Sequence, residues 1–154
     1  MTEKQIEFTW ADIWLLQSIA VASQSNPASL KDIIAVGDAL NHAIFTFTEI
    51  QCGLAKLISA EYIEYENGRE VFVLKKSFLD EYTRITKRYK SPHKKRDILE
   101  AHFHSTSWTS RYDPNKPDPQ WVFPFITHES FEKSVKAYKS SFWKEYRNLP
   151  KGGG

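Results

Sequence analysis

The sequence predicts a mainly α-helical protein with one small β-hairpin, and two observations carry that expectation. The first is a recurring helix start: Thr9-x-x-Asp12, Ser29-x-x-Asp32, Thr46-x-x-Glu49 and Ser77-x-x-Asp80 each place a hydroxyl three residues before an acid. At that spacing the hydroxyl accepts a bond from an orphan backbone N–H, and the acid meets the positive end of the helix dipole. The second is a switch of hydrophobic period. Tyr62–Glu66 and Arg69–Leu74 are β-favouring runs separated only by Asn67-Gly68, the pair that best suits a tight hairpin turn with positive φ.

In chain order, helix 1 spans about 10–23 and is apolar nearly all round (Trp10, Ile13, Trp14, Leu15, Leu16, Ile19, Val21), so neighbours must cover it on several sides. Asn26-Pro27 ends it. Helix 2, about 30–42, buries Leu30, Ile33, Ile34, Gly37 and Leu40, with Gly37 on the stripe where a missing side chain admits a close neighbour. Helix 3, about 47–60, carries Phe47, Ile50, Leu54, Leu57 and Ile58 at helical spacing. After the hairpin, helix 4 (about 78–89) aligns Phe78, Tyr82, Ile85 and Tyr89 on one face. Ser91-Pro92 starts a fifth helix over 92–104, with proline where its missing N–H costs nothing. Residues 105–126 read as a loop rich in proline and aromatic side chains, with Trp121-Val-Phe a candidate short strand. Thr127 caps a final amphipathic helix over 128–147, and 149–154 is expected to be a flexible tail.

Three helices, a hairpin and a closing helix in this order resemble the winged helix-turn-helix superfamily. The likeness covers residues 9–89, and the segment Asn41–Ile58 is similar to small bacterial winged-helix proteins of unassigned function. The resemblance implies that Ile44-Phe45-Thr46 forms a short strand pairing with the wing, that helix 3 is the recognition helix, and that Asn67-Gly68-Arg69 is the wing tip. Residues 90–148 would then be a helical and aromatic, proline-rich extension packed on the winged helix. No catalytic motif accompanies the likeness.

Composition narrows the function classes. The chain has 154 residues, 41% hydrophobic and 26% charged, with a net charge of +2. The charge is unevenly spread: residues 1–60 hold three lysines against six acids, whereas residues 61–100 hold ten Lys or Arg against eight. Cys52 is the sole cysteine, which excludes an intrachain disulfide and a multi-cysteine zinc site. The apolar run Ile13–Ala22 is about half the roughly 20 residues a membrane span needs, and the N-terminal MTEKQIEFTW lacks a signal-peptide pattern. A soluble, cytoplasmic protein is expected, with no membrane partner.

Two groups of residues are candidates for contact with duplex DNA. On helix 3, Thr48, Gln51 and Lys56 lie outside the apolar stripe, where a recognition helix presents its readers. That helix has one lysine and no arginine, so a packing or protein-binding use fits it equally well. The second group is stronger: Arg84, Lys87, Arg88, Lys90, Lys94, Lys95 and Arg96 fall within thirteen residues that contain no acid. Seven unbalanced cations exceed what capping helix 4 requires and suit phosphates. Arg69 at the wing tip adds one further contact or is an ordinary hairpin charge. Trp108, Tyr112 and Trp121 are candidate anchors for a protein partner, or else fill the seam under the last helix.

No enzyme is expected. His102-x-His104 cannot present both rings on one helical face, no metal-ligand set is complete, and no cofactor motif is present. The sequence therefore predicts a winged-helix DNA-binding protein, a transcriptional regulator in type. The alternative is a protein–protein interaction module, such as an adaptor or immunity-type inhibitor, with the winged helix as scaffold.

Overall fold

Reciprocal caps set where the first three helices begin. The computed structural model describes residues 6–105 and 120–148. In it Thr9 N donates to Asp12 Oδ2 at 2.8 Å while Asp12 N donates back to Thr9 Oγ1, opening α1 (Trp10–Ala22). The same exchange by Ser29 and Asp32 opens α2 (Leu30–Asn41), and by Thr46 and Glu49 opens α3 (Phe47–Ser59). Thr127 trades bonds with Ser130 at the start of α6 (His128–Asn148). The aspartates thus close their boxes as well as the longer glutamate does.

The fourth expected box does not form. Helix α4 runs Lys76–Thr86, two residues earlier than the Ser77–Asp80 spacing predicts, and its N-cap Lys75 makes no side-chain cap. The cause is the strand before it. Lys75 N donates to Tyr62 O, holding the chain in the hairpin up to the first helical residue, and the Lys75 carbonyl already accepts from Phe78 and Leu79. Phe78 is thereby pressed on Tyr62, ring centroids 4.2 Å apart. Helix α5 spans Pro92–Phe103, with Pro92 in the first turn as expected.

The small sheet is antiparallel, in the order β1–β3–β2, with β1 at Ala28–Ser29, β2 at Ile63–Glu66 and β3 at Val71–Leu74. Three expectations are corrected here. The strand that joins the hairpin is not Ile44–Thr46 but Ala28–Ser29, which pairs with Phe72 and Val71. Residues 44–46 are otherwise engaged: Thr46 N serves the α3 cap and the Phe45 ring stacks on Trp14 at 3.7 Å. The turn also differs. Glu66 pairs with Val71, so the loop is four residues, and the positive φ falls on Glu70 rather than on Gly68. Four-residue loops of this kind are commonly built around a type I turn, and an Arg69–Glu66 ion pair spans this one. No strand forms at Trp121–Phe123, whose backbone bonds a side chain of α3 instead.

Helix α1 lies at the centre. Ten consecutive residues, Ala11–Ala20, are buried, which is why its sequence shows no polar face. It is packed by α2, α3, α5 and β3. The interface with α2 turns on Gly37: Trp14 Nε1 donates to its carbonyl at 3.0 Å, and a Cβ there would stand 2.3 Å from Phe45 Cε2. The described part of the C-terminal extension joins the same core through Leu99, Phe123, Ile126 and Phe131. Tyr138 of α6 donates to Asp38 Oδ2 of α2 at 2.6 Å.

Two outcomes follow from this packing. Gly37→Ala should cost about 1–3 kcal/mol in urea unfolding, the usual penalty of overpacking, because Phe45 must leave Trp14 to admit the methyl. The phenols of Tyr82 and Tyr138 are both pushed up to about 12, Tyr82 by burial and Tyr138 by burial and then the Asp38 carboxylate. Their folded values lie above the ordinary 10.0, so the stability they supply is full below pH 10 and declines as pH rises toward 12. Phenolate absorbance should therefore show late-ionising tyrosines in the native protein, one fewer in Tyr138→Phe.

Candidate nucleic-acid interface

A buried charge needs a buried partner, and this rule decides what α3 can do. Asp12 is the one acid on the enclosed helix α1, wholly buried, and Lys56 of α3 meets it with Nζ 3.0 Å from Oδ2. Lys56 Nζ also donates to the Glu7 carbonyl at 2.9 Å. Burial raises the Asp12 carboxyl above its ordinary value, while Lys56 and the Thr9 bonds pull it back. Gly53 makes the approach possible, because a Cβ there would fall 2.5 Å from Leu15 Cδ2 and 3.3 Å from Asp12 Oδ1.

The opposite flank of α3 is covered by the segment that precedes α6. Gln51 Nε2 donates to the Ile126 carbonyl at 2.6 Å, and Gln51 Oε1 accepts from Phe123 N at 2.8 Å. Thr48, Gln51 and Lys56 are 1%, 6% and 4% exposed. The sequence places them on a reading face; the structure places them in the interior, so none touches a nucleic acid in this conformation. Two signals in the sequence bear on this: an aspartate on an otherwise apolar helix, and one lone lysine on the helix that packs against it.

The seven cations of residues 84–96 occupy the end of α4, the link, and the first turns of α5. Arg84, Lys87, Arg88, Lys90 and Lys94 are exposed; Lys95 and Arg96 are half-buried. Gln17 of α1 pins the start of α5 by donating to the Pro92 carbonyl at 2.8 Å. Arg84 and Lys87 sit at the negative end of the α4 dipole, which favours them. The start of α5 is different. Its first turn contains no acid and Ser91 makes no side-chain cap, yet His93, Lys94 and Lys95 stand there beside the positive end of the dipole. Lys94 and Lys95 thus add positive charge at the end of the dipole that is already positive, and capping does not account for them. Arg96 departs from the group: its guanidinium lies over Trp10, 5.0 Å from the ring centroid, with Nη2 3.2 Å from His93 Nδ1. Its chief contacts are with the fold.

Arg69 is engaged as well. Its Nε and Nη2 both donate to the Glu66 carboxylate across the exposed turn, which holds that carboxyl below its usual range. Trp121 is half-buried and lines a groove of about 760 Å³ between the outer flank of α3, β2 and the 120–125 segment, where Val122 and Phe125 are about half exposed. Trp108 and Tyr112 lie outside the described residues.

Among the described residues no group of His, Cys, Asp and Glu could hold a metal ion. His102 Nε2 lies 3.3 Å from Glu81 Oε1 and joins α5 to α4, and Cys52 is buried within α3. No described helix is long and apolar enough to cross a membrane. Comparison of the chain with family models, with curated proteins and with solved structures finds no match.

The division between interior and surface lysines is testable. Lys56→Met should lower unfolding free energy by about 3–5 kcal/mol, the cost of leaving a buried charge unpaired. Lys94→Met, at an exposed position, should leave the urea midpoint unchanged. Equal effects would mean that Lys56 is not enclosed.

Proposed function

We propose that this chain is a winged-helix protein that binds the phosphate backbone of duplex DNA through the α4–α5 stripe. The observation that carries the reading is the run of seven cations in residues 84–96, free of acids, with five of the seven exposed. Phosphate neutralisation supplies most non-specific affinity for DNA, and here the cations cluster where two helix ends meet. The winged-helix part rests on element order: three helices, a hairpin that a short strand joins at Ala28–Ser29, then a helix. Because α3 is covered on both flanks, base reading by that helix has no support, and binding is sequence-tolerant. A regulatory role would act through occupancy rather than through recognition of a particular site.

A second reading has its own observation. The covered α3 and the groove under Trp121, Val122 and Phe125 suit a protein-interaction module, with the winged helix as scaffold. Aromatic side chains beside a groove are typical anchors.

A salt series on mixed-sequence duplex DNA separates the two. The phosphate reading expects log K to fall linearly with log salt, by about 0.9 per phosphate neutralised. Changing Arg88, Lys90 and Lys94 together to Gln should weaken binding on every sequence and flatten that slope by roughly 2.7. Arg96 is kept, since it packs on Trp10. Absent binding, or a slope the triple change leaves untouched, would overturn the reading.

A further inference from the structure

A groove of about 480 Å³ opens between the end of α1, β3, α4 and the first turn of α5. Its size falls within the range of about 300–1,000 Å³ common for small-molecule sites. The chemistry of its lining is divided. Ala20, Val73, Leu74 and Tyr82 supply apolar surface, and Leu79 stands in the wall 45% exposed. Lys87, at the C-cap of α4, and Lys95, in the first turns of α5, bring two cationic side chains, and no lining residue is acidic. Several polar groups of the lining are already committed: Ser23 Oγ donates to Ile19 O and Thr86 Oγ1 to Tyr82 O. What faces a ligand is thus a largely apolar surface, with Gln24 and Thr83 as neutral polar groups and a cationic edge.

We propose that this groove binds a small amphiphile with an anionic head, its apolar body on Leu74 and Tyr82 and its head between Lys87 and Lys95. The charge pattern selects the occupant. A neutral apolar molecule would gain nothing from the two lysines, and a highly charged polyanion would leave the apolar wall uncovered. A single carboxylate on an aliphatic or aromatic body satisfies both. The site stands independently of the function proposed above, but it shares two lysines with the stripe. If the stripe holds phosphates, a bound carboxylate neutralises part of it, and the ligand lowers DNA affinity; this consequence alone rests on the phosphate-binding reading.

Decanoate below its micellar concentration is the probe, with decanol as its neutral counterpart, measured calorimetrically on the full chain. Saturable one-to-one binding of decanoate is expected, with decanol about tenfold weaker for loss of the ion pairs. The double change Lys87→Gln and Lys95→Gln, the first exposed and the second half-buried, should erase that preference while keeping the weaker apolar binding. Thr83→Trp, at an exposed groove position, should block both molecules. The proposal is overturned by an absence of saturable binding, by a preference for decanoate that survives the lysine changes, or by binding that survives Thr83→Trp. DNA titrated with and without saturating decanoate forms a separate arm. Decanoate binding by a chain that does not bind DNA would leave the groove assignment standing and remove only the phosphate reading.

Discussion

Helix α1 is enclosed by protein from Ala11 to Ala20, and the acid it carries at the first turn must be neutralised from inside the fold. Lys56 does this from α3, and the requirement propagates outward. The lysine reaches Asp12 only because α3 lies close against α1, and α3 lies close only because position 53 has no side chain. The same aspartate caps α1 through Thr9, so one carboxylate fixes both where the central helix begins and how α3 docks on it. A buried ion pair of this kind is weak evidence for net stability, since desolvation offsets much of the attraction. Its effect is to make alternative dockings of α3 expensive, because each would strand a charge.

The other flank of α3 is governed by hydrogen bonding. Gln51 supplies one donor and one acceptor to backbone groups of Ile126 and Phe123, and a loop buried at this depth needs such partners. The loop residues Phe123 and Ile126 then enter the core beside Phe72 and Phe131. A helix held by charge on one side and by a bonded loop on the other keeps Thr48, Gln51 and Lys56 from any ligand, and only its last turns, at Ala55, Ile58 and Ser59, line an open groove. This is why functional interest moves away from α3, the helix that the winged-helix resemblance marks as the reader.

It moves to the junction of α4 and α5, where the opposite imbalance holds. The fold supplies few local counter-charges to these cations: Arg96 is drawn onto Trp10, and the first turn of α5 contains no acid. Lysines on the two helices also edge a groove floored by the apolar surface of α1, β3 and α4. One cluster thus carries the charge that both proposals use, alone for a polyanion and with its apolar neighbour for a small amphiphile.

The local features were legible in the sequence because they depend on neighbours a few residues apart. Capping boxes at Thr9, Ser29 and Thr46, proline at the start of α5 and the period switch at the hairpin are all set by short-range sterics and hydrogen bonds. The basic stripe was legible for the same reason, being contiguous in the chain. What only the tertiary structure decided is which polar residues are enclosed. Thr48, Gln51 and Lys56 look solvent-facing by helical period, yet partners forty-four and more residues away in the chain cover Lys56 and Gln51. The strand at Ala28–Ser29 was likewise hidden, since two residues carry no periodic pattern and acquire their conformation from Val71 and Phe72 across the sheet. A helix's period fixes which residues share a face, and only the packing around it determines whether that face meets water.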